Sequence, residues 1–192
     1  WKVDNEGEVD VAGDADHHGQ PSETPNSLIE GLVPTSDGSG YWLFTAAGRV
    51  YAFGSASHHN DAVSLEVNAA IVDMATRADD SGYWLLGSNG DVYAFGSASN
   101  HGSLEDLAID DVALAIAPMA QGAGYWIGTL RGRVIAFGDA AEMTETVETP
   151  ALTDLSPVPG SDDLVVLGGD GSLQNLGDTA DWSGWDGLDA AI

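Results

Sequence analysis

The sequence repeats itself with a period of 42 residues. Gly-Tyr-Trp recurs at three places, which are 40–42, 82–84 and 124–126. A second block, Val-(Tyr/Ile)-Ala-Phe-Gly, follows each copy, at 50–54, 92–96 and 134–138. A fixed period near 40 residues is the signature of a repeat architecture such as a solenoid or a propeller, in which each unit buries its apolar surface against its neighbours.

Two weaker copies flank these three. The fourth copy has Leu164 and Val165 where the others have Tyr-Trp, and its second block is 171–177. A partial copy opens the chain, with Trp1 equivalent to Trp42. We therefore divide the chain into five repeats, which are approximately 1–26 together with 188–192, 27–68, 69–110, 111–150 and 151–187.

Each repeat is predicted to form three strands. In the second full repeat these are 70–75, 83–86 and 92–95. The last two are joined by Asn89-Gly90, a dipeptide typical of a two-residue hairpin because both residues tolerate a positive φ. Alternate side chains of a strand point to opposite faces, and both faces of 83–86 are apolar. A sheet with two apolar faces must be covered on both, so the sheets are expected to stack.

Radial stacking of such sheets predicts an all-β propeller as a single domain over 1–192. We expect five blades of three to four antiparallel strands. The chain ends where 188–192 aligns with the start of a first strand, and Trp1 lies in a second strand of the same unit. The ring is therefore expected to close by pairing N- and C-terminal strands. The alternative is a five-copy excerpt of a longer array, and a chain that opens at Trp1 is expected to be a processed product or a piece of something larger.

Charge excludes several functions. The chain has five Lys and Arg and 31 Asp and Glu, which gives a net charge of −26. Nucleic acids and anionic bilayers require clustered cations, so neither is an expected partner. Without Cys there is no thiol chemistry, and the chain has no run of about 18 apolar residues that would cross a membrane. Such a surface repels itself unless salt screens it, so we expect an extracellular or cell-surface protein in a saline environment.

The repeated core 79–98, followed by His101-Gly102-Ser103-Leu104, resembles the Gly-Tyr-Trp repeats of secreted and cell-surface proteins of actinobacteria. The resemblance spans nearly the whole chain. The third-strand block and the His-Gly-Ser-Leu tail are also similar, more weakly, to the hairpin of propellers of the regulator of chromosome condensation type. Both resemblances imply a propeller that displays or binds, without a catalytic role.

Repeated aromatic and histidine side chains are the first candidate sites. Trp1, Trp42, Trp84 and Trp126 offer sugar-stacking faces, but packing between blades is the favoured interpretation. His18, His59 and His101 occupy one repeat position, where the other two copies carry Met143 and Trp182. Histidine suggests a metal ligand, whereas a ring that covers the end of a blade and bonds loop backbone is the favoured alternative.

Carboxylates are too numerous for any pair to stand out as an acid and base. The densest group interleaves with Trp182 and Trp185, at Asp178, Asp181, Asp186 and Asp189. It is the candidate for calcium, although solvated surface is the favoured interpretation. We otherwise predict no cofactor, no metal site and no catalytic residue.

We predict a non-catalytic extracellular binding module for a glycan or a surface protein. Its binding face is expected on the loops after the third strands, where the repeats diverge most, at 55–68, 97–110, 139–150 and 178–187. The predicted ligand-binding residues are His18, His59, His101, Trp182 and Trp185. An assembly protein that forms homo-oligomers by strand exchange is the first alternative, and a glycoside hydrolase is the last.

Overall fold

The structure, a computed structural model, describes residues 1–65, 67–119, 122–143, 147, 151–158, 161 and 163–177. These residues form an all-β chain with one short 3₁₀ turn at Glu105–Leu107. Its strands are β1 (Lys2–Val3), β2 (Val9–Asp10), β3 (Ile29–Pro34), β4 (Gly40–Thr45), β5 (Val50–Gly54), β6 (Ile71–Thr76), β7 (Gly82–Gly87), β8 (Val92–Gly96), β9 (Ala113–Pro118), β10 (Gly124–Thr129), β11 (Val134–Gly138), β12 (Leu152–Pro157), β13 (Leu164–Gly168) and β14 (Leu173–Leu176). No helix among the described residues is both long and apolar enough to span a membrane.

Every predicted repeat carries one antiparallel sheet. Sheet 1 pairs β1 with β2, and the other four sheets are three-stranded meanders in chain order: β3 to β5 (sheet 2), β6 to β8 (sheet 3), β9 to β11 (sheet 4) and β12 to β14 (sheet 5). The strands predicted at 70–75, 83–86 and 92–95 lie within one residue of those observed in sheet 3. The all-β, repeat-by-repeat architecture is therefore confirmed.

The hairpin at Asn89-Gly90 differs from the predicted two-residue turn. Gly90 has a φ of +87°, but Asn89 is not among the described non-glycine residues with positive φ. The amide of Gly87 bonds the carbonyl of Asp91 at 2.9 Å, which leaves three residues in the loop. This is a three-residue hairpin with glycine in the left-handed position. A loop of this kind needs a positive φ at the glycine alone, because the residues before it form a type I turn. The carboxamide oxygen of Asn89 also accepts the amide of Asp91 at 3.2 Å.

The sheets stack through their two apolar faces, as the alternation in the second strand predicts. Tyr83 and Leu85 pack with Trp42 of sheet 2, whereas Trp84 and Leu86 pack with Tyr125 of sheet 4. Similar clusters fill the spaces between sheets 1 and 2 and between sheets 4 and 5. Burying one such aromatic side chain contributes about 2–3 kcal/mol. The core of the molecule is therefore a series of layers between successive sheets.

The first strands of successive sheets lie next to one another, with β6 between β3 and β9, and β9 between β6 and β12. Each of these four strands contains a bulge, which places one extra residue against its second strand. This is the arrangement of inner strands around a propeller axis. Closure of the ring by 188–192 lies outside the described residues, and both it and the single domain over 1–192 stay predictions.

Candidate functional site

Each sheet is fastened to the next by a loop that follows its third strand. In sheet 3 the indole nitrogen of Trp84 donates to the carbonyl of Ser99 in this loop, at 2.7 Å. Trp42 bonds Ser57 in the same way at 2.8 Å, again 15 residues ahead. These tryptophans are fully buried, so the packing interpretation holds for them and they offer no sugar-stacking face.

Beyond that contact the loop reaches the neighbouring sheet through a histidine. The amide of His59 donates to the hydroxyl of Tyr83 at 3.2 Å, and that hydroxyl donates to the carbonyl of Asn60. The imidazole lies against the Tyr83 ring, with centroids 5.6 Å apart. Its Nε2 bonds the carbonyl of Asp80 in the turn of sheet 3, at 2.9 Å. The histidine therefore contacts both a strand and a turn of the next sheet.

The full set of contacts recurs at His101, whereas the other two junctions keep only part of it. His101 bonds the Tyr125 hydroxyl at 3.1 Å and the Gly122 carbonyl at 3.2 Å. His18 packs against Tyr41, with ring centroids 5.7 Å apart, while its buried Nε2 has no hydrogen-bond partner. Between sheets 4 and 5 Met143 stands in the histidine position and packs in the apolar layer there. The equivalent of Tyr83 in sheet 5 is Leu164, which has no hydroxyl to bond, and Met143 packs with the same apolar cluster as Leu164.

These contacts agree with the favoured structural interpretation of the histidines. No group of three or more His, Cys, Asp or Glu suited to a metal ion occurs among the described residues. Ligand binding by His18, His59 and His101 stays a prediction. Trp182, Trp185 and the predicted calcium cluster lie outside the part of the chain that the structure describes.

A cavity of about 570 Å³ lies where the four first strands converge. Apolar side chains from each of these strands line it, including Val33, Met74, Ile116 and Leu155. Trp126 also borders it. Cavities of about 300–1,000 Å³ with mostly apolar walls and a few polar groups are typical of small-molecule sites. We call this space the axial cavity.

Among the described residues, two carboxylates line the axial cavity, the partly buried Asp73 and the exposed Asp154, and neither was a predicted site residue. Asp73 stands just after the bulge of β6. One of its oxygens accepts the amide of Met74 at 2.8 Å, and the other accepts the amide of Ile116 on β9, also at 2.8 Å. Asp73 therefore joins two inner strands. Its burial among protein atoms, opposed by these bonds and reinforced by the charge of Asp154, raises its pKa to about 7.

Asp154 is the equivalent residue of β12, 81 positions later. Its Oδ1 accepts the amide of Leu155 at 2.8 Å, which repeats the contact between Asp73 and Met74. Burial raises the pKa of Asp154 as well. The signal in the sequence is an aspartate just before an apolar residue in the first strand, at the same place in two repeats.

The axial cavity contains no basic side chain. All five Lys and Arg and all five His of the chain belong to the described residues, and none of them lines the cavity. Two of the cations form ion pairs elsewhere, Arg49 with Asp61 at 3.9 Å and Arg77 with Asp79 at 3.1 Å. The cavity therefore holds two carboxyl groups without a basic partner within largely apolar walls.

Comparison with known proteins supports the fold. No family model matches this chain, and no curated protein matches it. Among solved structures, the chain is similar to the β-propeller domain of Cps50 (Swd1) from Myceliophteria thermophila, with a TM-score of 0.52 and 11% identity. The match covers 78% of this chain and 53% of that domain, so the chain spans about half the length of its structural relative. The propeller resemblance is confirmed at the level of the fold, whereas membership of the Gly-Tyr-Trp repeat family stays a prediction.

Proposed function

We propose that this protein is a non-catalytic extracellular binding propeller whose ligand enters the axial cavity. The observation that carries the proposal is the pairing of a small-molecule-sized cavity with two carboxylates of raised pKa on inner strands, of which Asp73 is partly buried and Asp154 is exposed. A group held on packed strands is better preorganised than one on a loop, so the ligand meets fixed acceptors. Glycans and surface proteins remain the proposed partner classes.

The contacts of the loops favour the cavity over the loop face predicted from sequence divergence. The loop around His59 and the loop around His101 both hold neighbouring sheets together through buried hydrogen bonds and ring contacts. Changing these loops to suit a ligand would weaken the junctions. The axial cavity can accept a ligand without disturbing them.

The proposal is tested by intrinsic tryptophan fluorescence, because Trp126 borders the cavity. A panel of monosaccharides, short oligosaccharides and small amines is titrated in buffered salt. A saturable change that disappears in Ser156→Phe, where a bulky ring enters the cavity from an exposed position, supports the axial site.

His58→Ala is the matched control, because His58 is an exposed residue of the predicted loop face. It should bind as the wild type does. Binding that is lost in His58→Ala but kept in Ser156→Phe would move the site to the loops. No response from any compound in the panel would contradict the binding function.

A further inference from the structure

We propose that the axial cavity selects a small molecule that carries a primary ammonium group, which binds the carboxylates of Asp73 and Asp154. The inference rests on the proposed function, since it names the chemistry of the ligand for the same cavity. It is independent of the carbon skeleton that carries the ammonium group.

Charge complementarity is the first argument. Transfer of an unpaired carboxylate into a protein interior is costly, and buried charges are normally paired. Asp73 has backbone amides as partners but no cation, and the basic residues of the whole chain lie elsewhere. Its neighbour Asp154, which is exposed to solvent, adds a second carboxylate to the same space. Because no basic side chain lines the cavity, a cation bound there would come from outside the chain.

Hydrogen-bonding capacity is the second argument. An ionised carboxylate offers about four acceptor sites, and Asp73 uses one on each oxygen. Asp154 has one assigned donor, the amide of Leu155, on Oδ1. A primary ammonium group has three donors and can bond more than one carboxylate oxygen at a time. Such charge-assisted bonds are about twice as strong as neutral ones.

The walls of the cavity favour an organic cation over a bare metal ion. Calcium takes six to eight oxygen ligands, whereas the described residues supply two carboxylates and no group of three ligands. Most of the roughly 570 Å³ is bounded by apolar side chains, which would suit a carbon skeleton. A quaternary ammonium is disfavoured because such cations are recognised by the faces of several aromatic rings, and Trp126 is the sole aromatic residue among those that line the cavity.

Binding is expected to depend on pH. The titratable groups on the elements packed against Asp73 are Glu30 on β3, Tyr83 on β7 and Asp154 on β12, and β9 has none. Of these, Asp154 shares the cavity. Because the carboxyl group of Asp73 has a pKa of about 7, it carries a proton part of the time near neutral pH, and an ammonium group that binds there must displace this proton. Affinity should therefore rise as pH rises through about 7.

Isothermal titration calorimetry with matched probes tests the inference. 1,4-Diaminobutane is compared with 1,4-butanediol, and glucosamine with N-acetylglucosamine, so that each pair differs in the ammonium group. We expect each amine to bind at least about tenfold more tightly than its neutral partner. The affinity for 1,4-diaminobutane should be higher at about pH 8 than at about pH 6, and its binding should release more protons at the lower pH, where the carboxyl group of Asp73 is still protonated.

Variants separate the cavity from the acidic surface. Asp154→Asn should weaken amine binding about tenfold or more, because it removes one carboxylate from the cavity. Asp10→Asn removes the same charge at an exposed position of β2 and should leave binding unchanged. Urea unfolding of each variant confirms that it is folded.

Three results would overturn the inference. Equal weakening by Asp154→Asn and Asp10→Asn would assign amine binding to the general surface charge. Saturable binding of calcium chloride that Asp154→Asn abolishes, with none of either amine, would assign the cavity to a metal ion. Neutral probes that bind as tightly as the amines, and are blocked by Ser156→Phe, would remove the ammonium preference while leaving the proposed function in place.

Discussion

The substitution Asp73→Asn tests the electrostatics of the axial cavity directly. Asparagine has nearly the same shape as aspartate but cannot ionise. In the folded protein the pKa of Asp73 is raised from 3.8 to about 7. At this residue the native state therefore binds more protons than the unfolded state between these values, so the contribution of Asp73 to the free energy of unfolding is highest below about pH 4 and falls as pH rises to about 7.

The size of the effect follows from the shift. A difference of about three pKa units corresponds to about 4 kcal/mol at 1.36 kcal/mol per unit. Asp73→Asn removes the cost of ionising this side chain in the folded protein. The carboxamide has one acceptor oxygen, so either the amide of Met74 or that of Ile116 loses its acceptor, which costs about 1–3 kcal/mol at every pH. The variant should therefore be less stable than wild type near pH 4 and gain on it by about 3–4 kcal/mol by pH 8.

Urea unfolding followed by tryptophan fluorescence measures this difference. Urea is preferred to guanidinium because it is uncharged and leaves the electrostatics of an acidic protein unscreened. Repulsion among surface carboxylates also lowers stability as pH rises, but it acts on both proteins, so the quantity of interest is their difference. A difference that stays constant from about pH 4 to about pH 8 would show that Asp73 is not a buried, proton-linked group.

Three further perturbations address the junctions, the turns and the surface. Tyr83→Phe should lower the free energy of unfolding in urea by about 1–2 kcal/mol, because it removes the hydroxyl that bonds the loop of the preceding sheet. Tyr51→Phe breaks no such junction and should lower it by less than half as much. Gly90→Ala should lower the free energy of unfolding by more than about 2 kcal/mol, because the φ of Gly90 is +87° and a Cβ there would lie 2.5 Å from Leu104. Gly38→Ala is the control, since Gly38 has a φ of +69° with open space around it, and should cost about 1 kcal/mol. Equal costs would show that contact with Leu104 does not matter. Raising sodium chloride from about 0.1 M to about 1 M should raise the midpoint temperature of thermal unfolding, because the chain has a net charge of −26 and salt screens the repulsion among its carboxylates. The Debye length falls from about 10 to about 3 Å over this range. An unchanged or lower midpoint would contradict this expectation.

Local and periodic features of the fold were predictable from the sequence. The alternation in Tyr83-Trp84-Leu85-Leu86 places an apolar residue on each face of β7, and this alone requires a covering sheet on both sides. The 42-residue period then implies that every sheet has the same neighbours. The packing role of the tryptophans followed because Val165 replaces Trp in one repeat, a change that a buried position tolerates.

The cavity could not be found in the same way, because it belongs to no single repeat. Asp73 and Asp154 are 81 residues apart. The same repeat position holds Gly31 in the repeat before Asp73 and Ala115 in the repeat between the two aspartates. The two that line the cavity are hard to pick out among the 31 acidic residues of the chain. Likewise, the equivalence of His18, His59 and His101 was visible in the sequence, but their hydrogen bonds were not.

By itself, then, the sequence determined the strands, their order within each sheet and the need for sheets to stack, because these depend on interactions repeated within and between neighbouring units. The tertiary structure alone decided which carboxylates are taken out of water. That outcome depends on how four inner strands converge, since burial and the charge of a residue in a distant repeat together set the pKa of Asp73.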